Sequence, residues 1–132
     1  MKEFFAGAVT IGHTDQRRTI YDLIAKGDAG GGRALYNLAY FSPLRPGSAI
    51  GNHYHPRDMW ETYLIFSGEG VMYFKDMDTG EKVQIKVERE YPFKITVPPR
   101  MGHTLIATTE MSLLIGATDA PTAENMIKAD VL

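Results

Sequence analysis

The chain has 132 residues, 44% of them hydrophobic, and balances 14 Lys and Arg against 16 Asp and Glu for a net charge of −2. One domain is expected at this length, with a core that needs no covalent staples. The charge argues against a nucleic-acid or membrane-surface partner, and the absence of cysteine removes disulfides, thiolate ligands and thiol nucleophiles together.

In chain order, residues 4–11 and 19–25 read as edge strands, separated by a polar run in which His13 is expected to be solvated. The glycine-rich stretch at 26–32 reads as a turn, because a phosphate-cradling loop would need a following helix and a Gly-Lys-Ser/Thr pattern. Short extended runs then follow at 34–42, 60–67, 69–76, 81–88, 93–97, 103–108 and 111–117, divided by turn signals in the manner of a sandwich or barrel. Val83, Ile85 and Val87 alternate onto one face, and Met77-Asp78-Thr79-Gly80 reads as a hairpin turn that needs a glycine at positive φ. Residues 121–132 are expected to form a short helix with Thr122 as N-cap and Glu124 in its first turn. With no run of 18 apolar residues and no leader pattern, a cytoplasmic location is the expectation.

The most informative segment runs from Gly47 to Gly68. His53 and His55 lie two apart in an extended stretch, so both rings face one side with backbones about 7 Å apart. Glu61 follows six residues later, and His103 opens a strand after the Pro98-Pro99 turn. Imidazole nitrogens plus a carboxylate suit a divalent transition metal such as Zn, Fe, Mn or Ni. Four such ligands on an octahedral ion leave about two positions for water or substrate. The competing readings are surface histidines, an ion pair of Glu61 with Arg57, and Asp58 as the carboxylate ligand.

These residues resemble the motifs of the cupins, a superfamily of small β-barrels. The first motif maps onto Gly47, His53, His55, Glu61 and Gly68, and the second onto Pro98 and His103. The gap from His55 to Glu61 is longer than the motif's, Arg100 stands where the second motif has its middle glycine, and Ala107 replaces its asparagine. The resemblance covers roughly residues 34–118. It implies an all-β fold, the double-stranded β-helix or jelly-roll barrel, with His53, His55, Glu61 and His103 on the metal. The phrases Gly51-Asn52-His53-Tyr54-His55 and Thr118-Asp119-Ala120-Pro121 are similar to sugar-nucleotide cupins, specifically the C-terminal cupin domain of bifunctional capsular-polysaccharide enzymes. That similarity implies epimerisation of a keto-sugar nucleotide.

If Glu61 faces the barrel interior, so does Tyr63, a candidate proton donor and substrate contact. Arg57 and Arg100 flank the motifs and are candidate grips for a phosphate or carboxylate of the substrate. The outward row Trp60, Thr62, Leu64 and Phe66 is too apolar to leave in water, which suggests a partner sheet or subunit, and a homodimer is the hypothesis. Three functions follow: a metal-dependent epimerase or isomerase of an oxygenated small molecule, foremost a carbohydrate; an Fe(II) dioxygenase with the same ligands; or a non-catalytic sugar-binding module.

Overall fold

The computed structural model describes residues 1–24, 33–120 and 122–132, so the glycine-rich turn read at 26–32 lies outside the described residues. The strands are β1 (Ala6–Ala8), β2 (Thr10–Thr14), β3 (Thr19–Asp22), β4 (Asn37–Leu44), β5 (Ala49–Tyr54), β6 (Glu61–Ser67), β7 (Gly70–Asp76), β8 (Lys82–Val87), β9 (Phe93–Val97), β10 (Met101–Ala107), β11 (Met111–Ala117) and β12 (Ile127–Lys128). They form two five-stranded sheets, in the orders β1-β9-β6-β11-β4 and β12-β5-β10-β7-β8, with β2 and β3 as a separate hairpin. Pairing is antiparallel throughout these described strands. The fold is an all-β jelly roll. No helix of the described residues is long and apolar enough to cross a membrane.

Alternation builds the core. Phe93, Ile95 and Val97 on β9, Tyr63 and Ile65 on β6, and Leu113 and Ile115 on β11 supply one sheet's inner face. Met72 and Phe74 on β7 and Leu105 on β10 meet them from the other sheet. The hairpin expected at 77–80 joins β7 to β8, with Gly80 at φ 80°. Gly68 ends β6 at φ 91°, where an added Cβ would lie 1.9 Å from the Glu110 carbonyl oxygen, so only glycine fits.

One expectation is corrected and another is narrowed. The tail forms no α-helix: a single 3₁₀ turn spans Ala123–Asn125, Thr122 makes no side-chain cap, and Ile127 and Lys128 pair with Tyr54 and His53 on β5. The open edge of β5 offers ladder hydrogen bonds that outweigh local helix preference, and Ala129 and Val131 bury their side chains just beyond. The row opposite Glu61 is not left in water either, because Thr62 and Leu64 are fully buried within the one chain. A strand at Ala49–Tyr54, read only as an extended stretch, completes the second sheet.

Candidate metal centre and cavity

β5, β6 and β10 bring His53, His55, Glu61 and His103 together, with one ligand atom from each lying within 4.8 Å of all the others. That spread is close to the about 4.4 Å that a single ion bridges with two bonds of about 2.2 Å. His55 Nε2 lies 2.7 Å and His103 Nε2 3.0 Å from the same Glu61 oxygen. His55 Nδ1 sits 2.5 Å from the Asn125 carbonyl and His103 Nδ1 2.9 Å from the Met101 carbonyl, so each ring can donate backward and aim its Nε2 at the centre. His53 Nε2 is buried without a hydrogen-bond partner. A buried, unpaired nitrogen among three other donors is what a metal ligand looks like before its ion is considered.

The backbone that delivers His53 departs from a regular strand. His53 stands opposite His103 and Gly51 opposite Thr104, so Asn52 is an extra residue in β5, a bulge. Gly51 has φ 108° and Asn52 φ 65°. An added Cβ on Gly51 would lie 2.6 Å from the His103 carbonyl oxygen. Arg100, also at φ 60°, closes the turn before β10, and its N–H donates to the His55 carbonyl at 2.8 Å. The left-handed backbone explains why the motif favours glycine there.

Electrostatics follow from this packing. Burial, then the neighbouring His103 and His55 rings, push the His53 pKa down to about 4. Burial opposes ionisation of Glu61, but the His103 and His55 side chains outweigh it and hold the carboxyl well below its ordinary range. Burial likewise opposes charge on His55, yet the Glu61 hydrogen bond and charge raise its pKa. Burial, reinforced by the Glu61 charge, pushes the Tyr63 hydroxyl well above its usual value. Tyr63 is therefore a neutral phenol at physiological pH, suited to donate a proton and not to remove one.

A cavity of about 190 Å³ opens beside the cluster, lined by His53, Glu61 and Tyr63 at one end and by apolar side chains including Phe41, Ile50 and Met126. Arg57 and Arg100 do not line it. Arg57 is exposed and lies 3.9 Å from Glu124, while Arg100 Nε donates to Asp78 at 2.8 Å. Asp58 is exposed and pairs with Arg33, away from the centre. His13 is on the exposed hairpin, 2.9 Å from Asp15. The sequence did not point to the Asn125 carbonyl, to Met126 or to Asn37, which also lines the cavity. The Gly51-Asn52 pair was the local signal for the bulge.

Residues 13–119 match the family described as the polysaccharide biosynthesis C-terminal domain. No curated protein matches the chain significantly. Among solved structures, WlaRB, a TDP-quinovose 3,4-ketoisomerase from Campylobacter jejuni, superposes with a TM-score of 0.78 over 97% of this chain and 94% of that one, at 16% identity. QdtA, a 3,4-ketoisomerase from Thermoanaerobacterium thermosaccharolyticum, in the form of a mutant in complex with TDP-4-keto-6-deoxyglucose, gives 0.76 over 97% and 88%, at 12% identity. ChmJ, a 3'-monoepimerase from Streptomyces bikiniensis in complex with dTDP-quinovose, gives 0.75 over 93% and 67%, also at 12% identity. At such identities the likeness is one of fold.

Proposed function

We propose that this chain, which belongs to the polysaccharide biosynthesis C-terminal domain family, isomerises or epimerises a keto-sugar carried on a nucleotide. The observation that carries this reading is the polarity of the cavity. Its walls are largely apolar, and its polar chemistry is concentrated where His53, Glu61 and Tyr63 meet. The activities printed for WlaRB, QdtA and ChmJ support the reading.

One divalent transition metal, Zn, Fe, Mn or Ni, would be held by His53, His55, Glu61 and His103. Bound there, it would polarise a substrate carbonyl as a Lewis acid. The chain's own residues do the rest. Phe41, Ile50 and Met126 keep water from the reacting carbon, which strengthens every charge interaction inside. Tyr63 presents a protonated hydroxyl that can donate to the carbonyl oxygen as the neighbouring carbon loses its proton. Return of a proton to the same carbon from the opposite face, with the enol hydroxyl giving its proton back to the Tyr63 oxygen, gives the epimer. Return to the former carbonyl carbon, with the neighbouring hydroxyl giving its proton to the Tyr63 oxygen, gives the isomer.

A second reading is favoured by the same hydrogen bonds. Glu61 is already engaged by His55 and approached by His103, which leaves the unpaired His53 Nε2 facing the cavity as a proton acceptor that needs no metal. Both readings are tested by incubating TDP-4-keto-6-deoxyglucose with the protein in D₂O under argon and following its proton spectrum. Deuterium entering beside the carbonyl, with a new keto-sugar appearing, is the expected result. No exchange sinks both, and turnover that requires oxygen favours a dioxygenase. Exchange that survives chelation separates the second reading from the first. Binding without exchange, undiminished by chelation, would make the protein a sugar-binding module.

A homodimer forms part of the proposal, on different grounds from the outward row of β6. Every residue of β2 and β3 is exposed in the single chain, Ile11, Ile20 and Tyr21 included. Among the described residues β4 is the last strand of its sheet, and Leu38 and Tyr40 on it are exposed, as is Tyr36 just before it. A lone two-stranded hairpin is marginal in water, and an open apolar edge is a pairing site, so a second copy would relieve both.

A further inference from the structure

We propose that Asn37 is a substrate-orienting residue of this cavity, hydrogen-bonding a ring hydroxyl of the sugar across Ala117 from the histidine–glutamate end. The inference rests on the keto-sugar reading above and adds the group that sets how the ring lies.

Register places the residue. Asn37 on β4 pairs with Ala117 on β11, and Ala117 pairs with Glu61 on β6. The three form one row across the inner face, so the backbones of Asn37 and Glu61 stand two strand spacings apart, about 10 Å. Ala117 between them carries only a methyl group. The next row repeats the arrangement, with Ala39 and Tyr63 on either side of Ile115. All six of these residues line the cavity. The low side chains Ala39 and Ala117 therefore leave room for a ring between the two polar ends.

Chemistry then selects the ligand. Asn37 Oδ1 is buried with no hydrogen-bond partner among the described residues, as is His53 Nε2 at the other end. A buried acceptor left unpaired is costly, so such an atom awaits a donor. Apart from the His53, Glu61 and Tyr63 end, Asn37 is the one polar residue among those lining this cavity. Its carbonyl accepts from a hydroxyl while its amide N–H groups donate to an oxygen, a match for sugar hydroxyls that a purely apolar wall lacks. The residue is also held firmly, because the preceding N–H of Tyr36 donates to the Ala117 carbonyl at 2.7 Å. At about 190 Å³ the cavity is smaller than the about 300–1,000 Å³ that encloses a drug-sized ligand, so it takes the sugar ring and leaves the nucleotide outside.

The test measures calorimetric binding of TDP-4-keto-6-deoxyglucose to chelator-treated protein, alongside turnover by untreated protein. Asn37→Ala is expected to weaken binding about tenfold and to raise KM more than it lowers kcat. Asn37→Asp, which keeps an acceptor, should recover part of that loss. Ala117→Val, which raises the floor without touching Asn37, should weaken binding to both treated and untreated protein. The wild type should also prefer the probe over an analogue lacking one ring hydroxyl, and Asn37→Ala should lose that preference. Folded Asn37→Ala and Asn37→Asp proteins that bind and turn over the probe within twofold of wild type would overturn the inference while leaving the keto-sugar reading intact. A wild type that neither binds nor exchanges the probe would overturn both. If Asn37→Ala does not fold, the Asn37→Asp and Ala117→Val results decide.

Discussion

His53 and His103 face each other directly across the β5–β10 ladder, ring centroids 4.7 Å apart, because Asn52 is inserted between them and the next pair, Gly51 with Thr104. If Asn52 were paired in the ladder and not bulged out of it, it would sit opposite His103, and His53 and His55 would turn to the other face of the sheet. Gly51→Ala should therefore cost about 2 kcal/mol or more, since a Cβ would meet backbone at 2.6 Å and the φ of 108° favours glycine. Deleting Asn52 removes the extra residue, leaves Gly51 opposite Thr104 and His53 opposite His103 in a regular ladder, and should therefore keep the four-donor cluster. Urea unfolding checks the first outcome, and metal content checks the second. A folded deletion variant that loses the wild-type metal content would contradict the register given to the bulge.

Tyr63→Phe removes only a hydroxyl from a residue that is 1% exposed, so the fold should persist with a melting temperature close to wild type. The rate of exchange beside the carbonyl should fall at least about a hundredfold if the phenol donates the proton. An unchanged kcat would remove Tyr63 from the mechanism.

The Asp76 carboxyl is buried and held below its ordinary pKa: burial opposes its charge, but the Lys2 ammonium at 2.5 Å and the Lys2 and Asp78 N–H groups outweigh that. Its pKa is lower folded than unfolded, so the contribution is present above the unfolded value near 4 and fades as pH falls below it. Lys2→Met should lose about 1 kcal/mol at pH 7 and progressively less below pH about 4. Unfolding curves for both proteins from pH 3 to pH 7 test this, and a constant difference across that range would refute it.

Light scattering at micromolar concentration should return a dimer. Lysine at Ile20 on the hairpin or at Leu38 on the β4 edge should shift it to monomer, since each places a charge on an exposed apolar position. A wild-type monomer, or variants that remain fully dimeric, would count against these surfaces.

The four-donor cluster was legible in the sequence where local spacing decides geometry. His53 and His55 sit two apart, so strand periodicity turns both to one face, whereas Glu61 on β6 and His103 on β10 reach them only through pairing and packing of the sheets. What periodicity could not show is that Ile50 and His53, three apart, both line the cavity, because the bulge reverses the alternation between them. Asn37 escaped for another reason: its place beside Glu61 exists only through the pairing of three strands distant in sequence. The tail was misread as a helix because Thr122 and Glu124 are local signals, whereas pairing of Ile127 and Lys128 with β5 is a tertiary one. Arg57 and Arg100 flank the motifs in sequence, yet their side chains turn to Glu124 and Asp78 at the surface.

Elemental analysis of protein purified without chelator, set beside His53→Ala prepared identically, addresses the centre itself. About one equivalent of a divalent transition metal per wild-type chain, lost in His53→Ala, is the predicted result. Wild-type protein that carries no such metal and takes none up on addition of Zn, Fe, Mn or Ni would contradict it.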